Sequence, residues 1–334
     1  MHSEREVRLP KVLQLGAGPT ASSALEALAE RFDVVGLVRE CPPEAVEDDE
    51  TIRLARSLGA PILSNSSLGA IGRYIDELGP ECVVVSSYGR VLPPELLSKC
   101  RFVNVHYAPL PRYRGRANVN WAIINGERST AITIHTICPG LDAGNILYQE
   151  IIDIGESEDV AGLYSRLNAI QRGVLAATVQ RHLDGDEGVP QDDRGATYCC
   201  TRIPDDGEIG WSESTININM LIRSLYHPFP GAFTFFECRR LVIWRAEPVI
   251  DPPRYEGRVP GRVISVSKKG GFIDVLTGDG VLRILEVQRE GETRKAAAEV
   301  IRSVRSTLGL RKSDLLARIE RLERLLAGWD PAQG

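Results

Sequence analysis

Residues 11–40 read KVLQLGAGPTASSALEALAERFDVVGLVRE, and this stretch decides the fold. KVLQL is a short apolar run that stops at a glycine turn. ASSALEALAERF then carries apolar residues at helical spacing, and FDVVGLVRE is again nearly all apolar. Strands this apolar, separated by helices, are expected where both faces of a parallel sheet are covered. Working outward, the alternation repeats: TIRLARSLGA (51–60, helix), APIL (60–63, strand), LGAIGRYIDELG (68–79, helix), ECVVVSS (81–87, strand), PPELLSK (93–99, short helix) and FVNV (102–105, strand). Two more strand-like runs, TAITIHTI (130–137) and NILYQEIIDI (145–154), precede a long amphipathic helix at about 159–184 and a polar segment, DGDEGVPQDDRGA. Residues 1–200 therefore read as a doubly wound, mostly parallel α/β domain.

Beyond about residue 205 the pattern changes to short β runs (GAFTFFE, RLVIWRAEPV, GRVISVSK, GFIDVLT, GVLRILEVQ) broken by glycine, proline and charged turns. Even spacing of this kind predicts a small OB-like β-barrel over 201–292, after a helical linker near 215–226. Residues 293–334 read as a helical tail. Within it Leu315, Ile319, Leu322 and Leu326 share one face, which either packs back on its own domain or pairs with a second copy as a homodimer.

The chain has 334 residues and a formal net charge of −5, enough length for two cores. It contains no 18-residue apolar stretch, so no membrane span is expected, and its charged start, MHSEREVRLPK, is no signal peptide. Seven scattered cysteines, an odd number without a Cys-x-x-Cys, suit reduced thiols in the cytoplasm; neither a structural zinc site nor any other metal is expected.

GAGPTA at 16–21 fits the dinucleotide pattern G-x-G-x-x-A, with Glu40 placed to meet a ribose hydroxyl, as in an NAD-dependent dehydrogenase. Pro19, however, removes a backbone N–H where a pyrophosphate needs donors. A tight first turn without ligand is the better reading.

The chemistry gathers in three segments: FVNVHYAPLPRYRG (102–115), NVNWAIINGE (118–127) and CPGLDAGNIL (138–147). Asn104 and His106 end a strand before a proline-bearing loop, and Asp142 sits in a glycine-bounded loop between strands. An amide, an imidazole and a carboxylate can converge there. No G-x-S-x-G elbow is present, and no cysteine has the basic surroundings of a thiolate. Asn, His and Asp without a nucleophile suit direct acyl transfer to an amine. Asn104 and His106 would donate to the tetrahedral oxyanion, and His106 backed by Asp142, or Asp142 through water, would take the proton. A turn cap, a core histidine and an Asx turn are the structural alternatives.

NVHYAPLPRYRGRANVNWAIINGE followed by CPGLDAGNIL resembles the signature of the folate-dependent formyltransferases, N-x-H-x-S-L-L-P-x-x-R-G and then Leu-Asp-x-Gly. SSYGRVLP (86–93), RIPDDGEIGW and YHPFPGAFTFF resemble further stretches of that family, so the likeness runs from about residue 10 to 290. It implies N10-formyltetrahydrofolate as formyl donor and Asn104, His106 and Asp142 as the catalytic set. It further implies a pterin against Tyr88, Gly89, Arg90, Val91, Leu92, Pro139, Gly140 and Leu141, and an acceptor near Tyr113, Arg114, Gly115, Asn120 and Trp121. Two positions depart from the pattern. Ala108-Pro109-Leu110-Pro111 replaces Ser-Leu-Leu-Pro, and Asn118 stands where the sugar branch has proline.

The family acts on different amines. RECPPEAVEDDETIR (39–53) is acidic where the tRNA branch has a basic loop, and RGRANVNW resembles the sugar enzymes, so a nucleotide-linked amino sugar is the expected acceptor. The alternatives are methionyl-tRNA and an amino-acid amine such as ornithine. A non-catalytic binding module is the reading left if the set is inert. Arg112, Arg114 and Arg116 either meet a diphosphate or form a solvated basic turn. His135, opposite Ile132 and Ile134 in its strand, reads as partly exposed, or else lines the site near His106.

Overall fold

A computed structural model describes residues 8–39 and 50–327. Glu40 and most of the acidic stretch 39–53 lie outside the described residues. By contacts the chain divides into two units, the first built mainly from the residues up to Thr201 and the second from Arg202 onward.

The first unit begins with β1 (Lys11–Leu15), α1 (Gly18–Ala29), β2 (Asp33–Val38), α2 (Glu50–Ser57), β3 (Ile62–Leu63), α3 (Leu68–Leu78), β4 (Cys82–Ser86) and α4 (Pro94–Leu97). It continues through β5 (Arg101–His106), β6 (Arg114–Gly115), α5 (Asn118–Ile124), β7 (Ser129–Thr136), β8 (Ile146–Asp153), α6 (Val160–Leu183) and β9 (Tyr198–Cys199). Seven strands form one sheet in the order β3-β2-β1-β4-β5-β7-β8. From β3 to β5 the pairs are parallel, while β7 and β8 run antiparallel. This is the doubly wound, mostly parallel sheet expected from the sequence. The alternation of strand and helix forces it, because parallel neighbours need a crossover helix.

Burial explains why the strands are so apolar. Leu13, Leu15, Val83, Val85 and Phe102 form one core with Ile71 and Leu96 from the covering helices. Helix α3 starts where the Ser67 side chain accepts from the Ala70 N–H, and it stops at Gly79 in the left-handed conformation. Along α6 the buried residues Leu163, Leu167, Gln171, Leu175 and Val179 recur every fourth position, a stripe that faces inward.

The glycine turn after β1 has a packing cause. Gly16 lies so close to β4 that an added Cβ would fall 1.7 Å from the Ser86 carbonyl oxygen. Only glycine lets the two backbones approach this closely. The turn thus serves the sheet, and Pro19 opens α1 without a side-chain cap.

The second unit holds α7 (Thr215–Ser224), β10 (Ala232–Phe236), β11 (Arg239–Pro248), β12 (Val263–Ser267), β13 (Phe272–Leu276), β14 (Val281–Arg289), β15 (Lys295–Ala296), α8 (Ala297–Val300) and α9 (Lys312–Ala327). Its strands make an antiparallel sheet ordered β10-β11-β14-β13-β12, with β15 added to β14. Ile218 and Ile222 of α7 pack on Leu241, Ile243, Ile273 and Ile284 of the sheet. The helical tail expected from 293 starts later, because Lys295 and Ala296 join the sheet and Ala297, Ile301 and Leu308 enter its core. Among the described residues of the tail, α9 is the amphipathic helix. Leu315, Ile319 and Leu322 are exposed on it, as is Leu316, while the Leu326 side chain lies outside the described residues; over its described part this stripe is not packed back on the unit as one of the two readings had it.

Candidate active site

Asn104 and His106 occupy alternate positions of β5 and so project from one face of the sheet, at the strand's C-terminal end. The next residues are fixed from several sides. The Tyr107 hydroxyl lies 2.7 Å from Asn168 Oδ1 and 2.6 Å from Gln171 Oε1, both on α6. Thr133 Oγ1 donates to the Ala108 carbonyl at 2.6 Å, and Gln149 Nε2 donates to that of Leu110 at 2.9 Å. The loop that follows β5 is therefore anchored by β7, β8 and α6.

The loop between β7 and β8 brings Asp142 to the same place. Its Oδ2 accepts the Gly115 N–H at 2.8 Å and lies 3.7 Å from His106 Nδ1, while Oδ1 lies 3.7 Å from His135 Nε2. Gln191 Nε2 holds this loop by donating to the carbonyls of Asp142 and Gly144 at 2.8 and 2.7 Å. Arg114, buried, in turn holds Gln191 Oε1 at 2.8 Å and Asp193 at 2.7 Å. Arg114 thus supports the Asp142 loop, and its guanidinium is engaged by these partners.

His135 belongs to the cluster. It is paired in register with Asn104 and only 1 % exposed, which corrects the expectation of a partly exposed strand histidine. Its Nδ1 lies 2.8 Å from the Thr136 carbonyl, so Nδ1 carries the proton and donates. Nε2 is left to accept from Asn104 Nδ2 at 3.0 Å. Burial, and then the neighbouring His106, push the His135 pKa down to about 4, so the ring is neutral at ordinary pH. One N–H of the Asn104 amide is thereby used, and the other remains for a ligand.

Four non-glycine residues around the cluster have positive φ: Ser87 (61°), Tyr113 (62°), Ala117 (57°) and Asp142 (46°). Each costs on the order of 1–3 kcal/mol, and such residues gather where loops must hold side chains in set positions.

The remaining expected residues are engaged as follows. In 86–92, Val91 is 74 % exposed, whereas Leu92 is buried in the sheet core and the Tyr88 hydroxyl donates to the Ser66 carbonyl. Gly89 lies beside the Arg116 guanidinium, and Arg90 is exposed. In the β7–β8 loop, Pro139, Gly140 and Leu141 are exposed. Val91 and Leu141 are thus apolar side chains left exposed to solvent. Among the residues expected to meet the acceptor, the Tyr113 hydroxyl donates to Glu127, Arg112 also pairs with Glu127, Asn120 is buried, and Trp121 Nε1 donates to the Cys200 carbonyl. Of the three arginines of the turn, Arg112 and Arg114 have acidic partners, and Arg116 is exposed beside Gly89.

The set can polarise a carbonyl and accept a proton from an amine, and it offers no nucleophile of its own. Comparison with known proteins gives the family. Residues 53–179 match the family model described as formyl transferase, and 203–305 match the formyl transferase C-terminal domain. The chain is 34 % identical over 304 residues to methionyl-tRNA formyltransferase of Caldanaerobacter subterraneus subsp. tengcongensis, covering 87 % of this chain and 96 % of that protein. It is 38 % identical over 231 residues to the enzyme of the same name from Alkaliphilus oremlandii, covering 68 % of this chain and 72 % of the other. Among solved structures, the sugar 3N-formyl transferase WlaRD superposes with a TM-score of 0.62 at 14 % identity, over 86 % of this chain and all of that one. HypX from Aquifex aeolicus in complex with tetrahydrofolic acid gives a TM-score of 0.62 at 17 % identity, over 88 % and 47 % of the two chains. At these identities the two structures report the fold.

Proposed function

The chain belongs to the formyl transferase family, and from that premise we propose that it moves a formyl group from N10-formyltetrahydrofolate to the amino group of methionyl-tRNA. The observation that carries the acceptor is the end-to-end match to methionyl-tRNA formyltransferases, 304 residues reaching through both units. It moves the acceptor away from the nucleotide sugar expected from RGRANVNW and the negative net charge. Charge is also unevenly distributed: Arg202–Gly334 has 21 Lys/Arg against 18 Asp/Glu, the preceding residues 19 against 27. Arg239, Arg245, Arg254, Lys268, Lys269, Arg302 and Arg305 are exposed on the second unit, where phosphates would find cations.

In this reading the folate supplies an activated formyl carbon, held against Tyr88–Leu92 and Pro139–Leu141. The bond from the amine nitrogen to that carbon forms and the bond to N10 breaks. The proton lost by the amine is returned to N10, so the exchange balances without an outside acid or base. Asn104, with the N–H that His135 leaves unused, and His106 donate to the oxygen as it gains charge. Asp142 receives the proton in transit. The Gly115 N–H holds one oxygen of that carboxylate in place.

The test is an acceptor panel with N10-formyltetrahydrofolate as donor, read by mass spectrometry. It contains methionyl-tRNA, UDP- and dTDP-linked amino sugars and ornithine. Formylation of methionyl-tRNA at a rate about 10²-fold or more above the other amines is expected. Formylation of a sugar nucleotide with none of the tRNA overturns the acceptor and keeps the reaction.

A further inference from the structure

His106 Nε2 has two partners with opposite requirements. The Tyr113 carbonyl oxygen, an acceptor, is 2.9 Å away, and Asn118 Nδ2, a donor, is 3.0 Å away. A neutral ring nitrogen carries either a proton or a lone pair, so it serves one of them at a time. The Asn118 amide cannot simply turn over. Its Oδ1 already accepts the Val119 N–H at 3.0 Å, and a flip would set its NH₂ against that N–H. Both side chains are buried, so neither has water as a ready substitute partner.

The opposite edge of the ring breaks the tie. Nδ1 faces Asp142 Oδ2 at 3.7 Å. With the proton on Nε2, Nδ1 would point a lone pair at a carboxylate while the Asn118 N–H met another N–H. With the proton on Nδ1, a donor faces the carboxylate and Asn118 serves Nε2. The Tyr113 carbonyl alone argues for the first arrangement. His135, whose ring stands edge-on to that of His106 with centroids 6.1 Å apart, is neutral and engaged with Asn104.

We infer that Asn118 is a positioning residue that keeps a lone pair on His106 Nε2 and the ring proton on Nδ1. The ring's one N–H then lies on the edge beside Asp142, which at 3.7 Å does not hold it in a hydrogen bond, so it can be given to the reacting oxygen while Asp142 acts as the base. Ala117 at φ 57° turns the chain so that the first residue of α5 reaches the histidine. Asn118 is also the position at which the chain departs from the proline of the sugar-branch motif, and proline has no side-chain donor.

The tautomer is read in the resting protein, while its kinetic consequence rests on the formyl-transfer reading. Nitrogen-15 NMR of the full chain, labelled at histidine, distinguishes a protonated from an unprotonated ring nitrogen. A His106→Gln sample assigns the resonances among five histidines. The wild type is expected to show a protonated Nδ1 and an unprotonated Nε2. In Asn118→Asp, a near-isostere that accepts where Asn donated, the proton moves to Nε2. In Asn118→Ala the Tyr113 carbonyl drives the same change. Both variants should lower kcat about tenfold or more with KM nearly unchanged. A wild-type ring protonated only on Nε2, or a tautomer identical in the folded variants, overturns the inference. A protein that shows the tautomer shift but formylates no amine in the panel overturns the functional reading and leaves the role of Asn118 standing.

Discussion

At the scale of single residues, His135 is the buried group that keeps Asn104 aimed, because a neutral Nε2 is needed to accept from the amide. Its pKa falls from 6.5 in the open chain to about 4 in the fold. The unfolded chain therefore takes up a proton that the folded chain refuses. Stability from this site is complete above about pH 6.5 and is lost as pH falls toward about 4; the whole shift corresponds to about 3 kcal/mol. His135→Gln, which does not titrate, should flatten the dependence of unfolding free energy on pH across that window. An equal slope in the variant would contradict the assignment. The sequence did not disclose this role. TAITIHTI alternates, and alternation suggests one wet face, but β7 lies inside a seven-stranded sheet with both faces covered. Asn104 and His106, by contrast, were legible as a pair, since residues two apart on a strand must share a face.

At the scale of elements, the turn from β1 into α1 is shaped by its contact with β4. The motif GAGPTA could be read as a tight turn, and Pro19 argued against a pyrophosphate, but the reason for the first glycine lay in a strand some seventy residues away. Gly16→Ala should cost about 3 kcal/mol or more in urea unfolding, because the new methyl group would overlap the Ser86 carbonyl. Gly18→Ala should cost about 1 kcal/mol, because Gly18 needs only its φ of 75° and has nothing within 4 Å of an added Cβ. Similar costs for the two would mean that the close approach is not what the turn protects. The stretch KAAAEVIRS shows the reverse case. It lies at the start of the stretch read as a helical tail and its alanines have high helix propensity, yet within it only Ala297–Val300 form a helix, and Ile301 and Leu308 are drawn into the sheet's core.

At the scale of the whole chain, the two-part organisation was visible as a change of period, from long apolar strands with helices to short strands with turns. The acceptor was not. Net charge and one acidic stretch pointed to a small sugar nucleotide, while the relatives at 34 % and 38 % identity reported above are methionyl-tRNA formyltransferases. A chain-wide charge of −5 conceals a second half with more Lys/Arg than Asp/Glu, and association with phosphates follows local potential more than the total. The claim beneath all of this is that Asn104, His106 and Asp142 together carry out the transfer. Its most direct test is single-turnover formyl transfer to methionyl-tRNA by the wild type and by Asn104→Ala, His106→Ala and Asp142→Ala, with thermal melts confirming that each variant is folded. Each folded variant should transfer about 10²–10⁴-fold more slowly than the wild type. A folded His106→Ala or Asp142→Ala protein that transfers formyl at near wild-type speed would contradict the assignment of this cluster as the catalytic centre.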